Sequence, residues 1–446
     1  MYNKVIGGLR FPLIGFWEVK TTMYNFYFDE SAHDRAITYK NEKGLNIYLN
    51  AQNDLFLGFF LGIRREKELD FLHQYLTMEK YWKDGLYKLK EHQEFKGTTI
   101  AKKKFEFGFT TFHKKDLKVY SNLFQLLDNE EIIFNVHMYS KTEFLILQYF
   151  EEFNLPTHIP IEEFNAVAHL NQKELIYSLI KFLFNYRNQE LLAGLFSDGE
   201  MSSEVFLKKL KSMLDMVINQ TDNVERKRRE TPVLKFLLRA LGHADIEGNP
   251  QKKYEWDYSP LFIGLSEVLK DLRVEKNNVK LVIDPEGTGT ILSTAKQQGF
   301  SFAFDNEDSK ENGLIRISDI LSNMFQRLSL SIYEGIKEDP FVNAETHDYA
   351  TKRMLSKEWF DIKQEDVYQL YVRLNKILRI NNPNYCKVRS GIYLDYSELT
   401  VALIAYIGGE FMGFEDFKSK SPEIHAKCFN GYAMKWLNKE QKRKLK

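Results

Sequence analysis

The stretch MYNFYFDESAHD, Met23 to Asp34, constrains this chain more than any other. Met23 to Phe28 is apolar or aromatic except for Asn25, the composition of a buried strand. The run stops at Asp29-Glu30-Ser31. Carboxylates at the end of a buried strand carry a desolvation cost unless something neutralises them. Two readings are open on this stretch alone: a turn, which Asp and Ser start readily, or a cation site.

The pattern of a strand ending in an acid returns twice. Val279 to Ile283 (VKLVI) runs into Asp284, and residues 300–304 run into Asp305. Residues 45–49, 55–63 and 131–139 read as further strands; 55–63 is apolar on both faces and so belongs in the middle of a sheet. Helical spacing covers 64–82, with Leu69, Leu72 and Leu76 as the inward stripe, then 117–127, 142–153 and 290–298. The strongest amphipathic helix is 318–336, with Ile320, Leu321, Met324, Phe325, Leu328, Ile332 and Ile336 on one stripe. Asp319, Asn323 and Gln326 lie off that stripe.

From residue 155 the character changes. Pro156 and Pro160 mark a linker, and helical spacing alone follows in 174–187, 202–218, 231–241 and 260–272. The expected fold is α/β: a mixed sheet with flanking helices, a large helical insertion and a helical C-terminal region. Its divisions are a first core part at 1–154, the all-helical insertion at 155–273, a second core part at 274–337 and the C-terminal region at 338–446.

Charge and cysteine content exclude several classes. Lys+Arg and Asp+Glu are both 62, so nucleic-acid contact must come from local patches. Lys102-Lys103-Lys104 and Arg226-Lys227-Arg228-Arg229 are such runs, and each also reads as a solvated face. Two cysteines give neither a disulfide framework nor a zinc pattern, which suits a reducing cytoplasm. No apolar run reaches the roughly 20 residues that span a bilayer, and the N-terminus lacks a signal-peptide pattern, so no membrane partner is expected. Gly287-Thr288-Gly289-Thr290 lacks the ending of a phosphate-binding loop, and no G-x-S-x-G or H-E-x-x-H occurs. His33 and His92 stand near acidic motifs as proton carriers or plain turn residues.

In open α/β sheets, ligands gather at the carboxyl ends of strands. Asp29, Asp284 and the helix residue Asp319 would meet there. Oxygen-only ligands suit Mg²⁺ or Mn²⁺ rather than zinc, and such ions support phosphodiester hydrolysis. Each residue also has a bland reading: Asp284-Pro285-Glu286-Gly287 as a turn, Asp319 as a helix-start residue, and Glu94 as a surface partner of Lys96.

Four segments in order, FYFDES, HQEFK, LVID and DSKENGLIRISDIL, carry a resemblance. The chain resembles the RNase H-like family catalogued as domain of unknown function 3800. That family looks like a strand ending in Asp-Glu-Ser-Gly, a central Glu-x-Lys, a late strand ending in Asp, and a serine turn into a Leu-Gln-x-Ala-Asp helix start. By match, Asp29 and Glu30 fall on the first motif, Glu94 and Lys96 on the second, Asp284 on the third, and Ser309, Lys310 and Asp319 on the last. Ala32, Arg316 and Ser318 depart from the pattern without removing a carboxylate. The likeness covers roughly residues 20–150 and 275–337.

The resemblance implies an RNase H-like mixed sheet and a metal-dependent nuclease. Asp29, Glu94, Asp284 and Asp319 would hold Mg²⁺ or Mn²⁺, with Lys96 on the scissile phosphate of DNA or RNA. The helical regions would recognise substrate or a protein partner. A microbial phage-defence effector is the setting this analogy implies, and a non-catalytic scaffold for nucleic acid or protein is the alternative.

Overall fold

The computed structural model describes residues 23–31, 36–40, 44–48, 54–128, 132–150, 158–161, 166–169, 172–186, 188–199, 201–221, 230–243, 248–285, 289–307, 309–336, 355–379, 385–393 and 395–444. Six strands build one mixed sheet: β1 (Tyr24–Ser31), β2 (Leu55–Arg64), β3 (Ile132–Ser140), β4 (Val279–Ile283), β5 (Ala303–Phe304) and β6 (Tyr385–Ser390). Their order is β6-β3-β2-β1-β4-β5. Only β2 runs against its neighbours; the β1–β4, β4–β5 and β3–β6 pairs are parallel.

Side-chain alternation gives the sheet two buried faces. On β2, Leu55, Leu57, Phe59, Leu61 and Ile63 enter one core, and Phe56 and Phe60 the other. This is the physical content of a strand apolar on both faces. Gly62 completes the second face by leaving room: a Cβ there would stand 2.5 Å from the Phe26 ring on β1.

Helices cover both faces. The main ones are α1 (Glu68–Tyr81), α2 (Lys114–Leu127), α3 (Ser259–Asp271), α4 (Thr290–Gln297), α5 (Gly313–Ile336), α6 (Glu365–Arg379) and α7 (Asp395–Gly409). Helix α5 lies on the Leu55–Ile63 side of β2 and contacts β1, β2, α1 and α7. It is buried nearly all round. Ser318 Oγ donates to the Tyr27 carbonyl at 3.0 Å and pins it to β1. Helices α3 and α4 supply the apolar cover of the opposite face.

Three expectations are corrected. Residues 155–273 are not all helical: His158–Ile161 pairs with Ala166–His169 in a separate two-stranded sheet. Helix α3 in that stretch packs on the main sheet, through Leu261, Phe262 and Leu265. The C-terminal region is not only helical, since β6 extends the sheet beyond β3. The stripe on α1 is also different. Leu69 is 78% exposed, and the buried face is Phe71, Tyr75 and Glu79. Aromatic bulk turns that face inward and carries Glu79 with it. Among the described residues no helix is long and apolar enough to cross a membrane.

Candidate active site

Strand register sets two acids side by side. Phe28 pairs with Ile283 in the parallel β1–β4 ladder, and the Asp284 amide continues it by donating to the Phe28 carbonyl at 3.3 Å. Asp29 and Asp284 are thus next in line on strands about 4.8 Å apart. Tyr27 and Val282, two residues earlier, belong to the core under α5, so alternation points Asp29 and Asp284 to that side. Ser31 follows, its hydroxyl donating to Gln326 of α5 at 2.7 Å. Glu30 takes the opposite parity.

Helix α5 brings Asp319 to the same place. Its Oδ1 accepts from Asn323 Nδ2 at 2.8 Å, and its Oδ2 from the Gly97 amide at 2.7 Å. Gly97 allows this approach because it has no side chain: a Cβ would lie 2.4 Å from that of Asn323. Gly97→Ala must therefore push the loop off α5. The expected result is a loss of about 1–3 kcal/mol in a urea melt, the usual scale of overpacking. Asp319 loses its backbone donor in the same step. An unchanged melt would show that the loop has slack.

Glu94 and Lys96 precede that glycine in an extended segment. Lys96 Nζ stands 3.4 Å from Glu94 Oε2, and Ser309 Oγ donates to the same oxygen at 3.3 Å. The Ser309 amide donates to Asp284 Oδ1 at 3.1 Å. One serine therefore ties the Glu94 segment to the end of β4.

The electrostatics follow from burial. Burial lifts the Asp29 carboxyl well above its usual range, and the charges of Asp319, Asp284 and Glu30 lift it further. The Glu30 amide, 2.8 Å from its Oδ1, offsets only part. Burial also raises Asp319; the Gly97 amide, Lys96 and Arg327 pull it back, and Asp284 pushes it up. Burial works against the Lys96 charge, yet Glu94 foremost, with Asp319 and Asp284, holds its ammonium above the ordinary value. The structure thus gathers Asp29, Asp284 and Asp319 as mutually repelling acids, with Glu94 and Lys96 at their edge. His92 is exposed in a turn.

Two buried arginines of α5 hold the loops that carry this cluster. Arg316 donates two parallel hydrogen bonds to Glu79 of α1, Nε to Oε1 at 2.6 Å and Nη2 to Oε2 at 2.7 Å. Its Nη1 donates to the Ser309 carbonyl at 2.6 Å and the Lys310 carbonyl at 3.2 Å. Arg327 Nη1 donates to the Gly97 carbonyl at 2.9 Å and also to that of Ile100. Sequence reasoning missed Glu79 and Arg327, and read Arg316 only as a departure from the motif.

The donor chemistry, carboxylate oxygens alone, fits a hard divalent cation. Among the described residues, however, no three His, Cys, Asp or Glu side chains are grouped as a ready ligand set. The amides, Ser309 and Lys96 hold the carboxylates instead.

No family model matches this chain, and no curated protein and no solved structure matches it. The motif likeness is carried by the residues alone. Two of its departures have structural roles, Arg316 as the loop clamp and Ser318 as the pin on β1. Ala32, His33, the 226–229 basic run and residues 287–288 lie outside the described residues.

Proposed function

We propose that the chain is a metal-dependent nuclease on an RNase H-like core. The observation that carries this reading is the convergence of Asp29 on β1, Asp284 just past β4 and Asp319 on α5, where burial raises Asp29 and Asp319, the charges of Asp319 and Asp284 raise Asp29 further, and Asp284 also raises Asp319. The mixed sheet with one reversed strand supports the core assignment. Clustered carboxylates that oppose each other's ionisation are the usual state of a divalent-cation site before loading.

Asp29, Asp284 and Asp319 would hold Mg²⁺ or Mn²⁺, with Glu94 joining from the adjacent loop. The bound ion supplies Lewis acidity and a nucleophilic water. Lys96 is 44% exposed and kept charged by the acids, so it can meet a phosphate oxygen from the solvent side. Ser309 orients Asp284 and Glu94 together. Arg316 and Arg327 are positioning residues, since they grip backbone rather than the cluster itself.

The test is the purified chain with Mg²⁺ or Mn²⁺ against labelled single- and double-stranded DNA and RNA, beside Asp284→Asn. Cleavage by the parent and not by the variant is expected. No cleavage on any substrate with either metal, or equal cleavage by both proteins, overturns the reading. A second reading, a non-catalytic nucleic-acid scaffold, is favoured by the hydrogen bonds that already hold Asp319 on the Gly97 amide and Asp284 and Glu94 on Ser309. Binding without cleavage in the same panel would select it.

A further inference from the structure

Residues 80–118 carry eleven lysines against five carboxylates and no arginine, an excess of six positive charges in a chain that is neutral as a whole. This segment folds on itself beside the acid cluster. The Tyr87 hydroxyl donates to Asp116 at the start of α2, and the Lys115 ammonium lies 4.2 Å from the centre of the Tyr87 ring. Lys104 Nζ meets the His113 ring at 2.7 Å. The lobe is fastened to α5 by Arg327 on the Gly97 and Ile100 carbonyls and by the Gly97 amide on Asp319. It therefore begins where the acids end.

Its charge is left unneutralised from within. Among the described residues Lys96 alone of the eleven makes an ion pair, with Glu94. Lys88, Lys90, Lys102 and Lys103 are exposed. A lobe with a net positive excess in a neutral protein raises its own self-energy, and a polyanion relieves it. Phosphates repeated along a strand do so with release of condensed counterions.

We infer that the 80–118 lobe is the surface on which a nucleic-acid backbone lies, leading its phosphates to Lys96 and the acids. This deepens the nuclease reading and rests on it for the second half only; the docking surface itself is tested without cleavage. The recognition is of backbone charge, so it carries no base sequence.

The experiment is fluorescence anisotropy of labelled single-stranded DNA, single-stranded RNA and duplex DNA with the full chain in EDTA, across a salt series. The comparison is the quadruple change Lys88→Gln, Lys90→Gln, Lys102→Gln and Lys103→Gln. A control changes Lys208, Lys270, Lys296 and Lys439 to Gln, four exposed lysines elsewhere. The lobe variant should bind at least about tenfold more weakly near 0.1 M salt. Its log–log salt slope should be shallower by about 2–4, at roughly 0.7–0.9 per lost phosphate contact. The control should bind as the parent. Equal weakening by both variants, or by neither, overturns the inference. So does polyglutamate competing as well as an oligonucleotide of equal charge. If the lobe variant loses binding while the parent cuts nothing with either metal, the surface stands and the nuclease reading falls. If the parent cuts and the lobe variant binds and cuts equally, the surface falls and the nuclease reading stands.

Discussion

Asp29→Asn is expected to lower metal-dependent cleavage by about a thousandfold, roughly 4 kcal/mol of transition-state stabilisation. In the absence of divalent cation it is expected to melt higher than the parent. The two effects share one cause. Asp29 is 8% exposed, and burial, Asp319, Asp284 and Glu30 all oppose its ionisation. The amide keeps the shape and one acceptor oxygen for the Glu30 amide but removes the charge. A stability gain of about 1–3 kcal/mol matches the usual penalty of an uncompensated buried polar group.

The sign with pH follows by linkage. The folded pKa of Asp29 is raised above its ordinary 3.8, so the folded state binds more protons than the unfolded one once pH passes that value. The Asp29 contribution is fully present below 3.8 and is lost as pH rises through the folded pKa. Parent protein in EDTA should therefore lose stability from about pH 4 upward, and Asp29→Asn should lose less. Asp319, also raised, leaves a residual slope. Urea melts between pH 4 and 8 check this. A variant that melts lower than the parent across that range would make Asp29 a structural acceptor rather than a strained acid.

Glu79→Ala is expected to destabilise the protein by about 3–5 kcal/mol, because it leaves the Arg316 guanidinium buried without its counter-charge. Both side chains are 7% exposed, and two hydrogen bonds join them. Removing the pair together, Glu79→Leu with Arg316→Met, should restore most of that stability, since matched apolar side chains avoid the desolvation of two ions. The double variant would still leave the Ser309 and Lys310 carbonyls without their donor. Cleavage should stay low while stability recovers. Recovery of both would mean that the Ser309 turn holds itself. A loss below about 1 kcal/mol for Glu79→Ala would show that water replaces the carboxylate.

Much of this was legible in the residues, for reasons that differ by element. Strand β4 is legible at its observed bounds because Val279, Leu281, Val282 and Ile283, with Lys280 among them, run straight into an acid and a proline. Asp29 and Asp284 are legible as a pair because each follows a buried apolar run, although β1 continues past Asp29 through Ser31. Strand β6 was not: YCKVRS mixes Lys and Arg with Tyr, Cys and Val, which suits an edge but gives no clear alternation. The α1 stripe was misread because leucine spacing was weighed above the aromatic face. On α5, Arg316, Asp319, Asn323 and Arg327 recur at i, i+3, i+7 and i+11, one face of the helix. The acid and amide are legible there; Arg316 is legible only as a departure from the motif, and Arg327 not at all. Long charged side chains are normally solvent residues, and only the fold reveals that these reach backbone carbonyls.

The pairing of β1 with β4 also sets a clock. Residues 29 and 284 lie 255 positions apart, so Asp29 has no carboxylate neighbour from β4 until that much more chain has left the ribosome. At about 5–20 residues per second, that is roughly 13–50 s of synthesis. Through that interval β1 is bordered on one side by β2 and open on the other, an unpaired edge of the kind that captures foreign strands. Asp29, Asp284 and Asp319 thus cannot meet until residue 319 has emerged. The same separation makes the last step of assembly a long-range search, slow by topology rather than by chemistry.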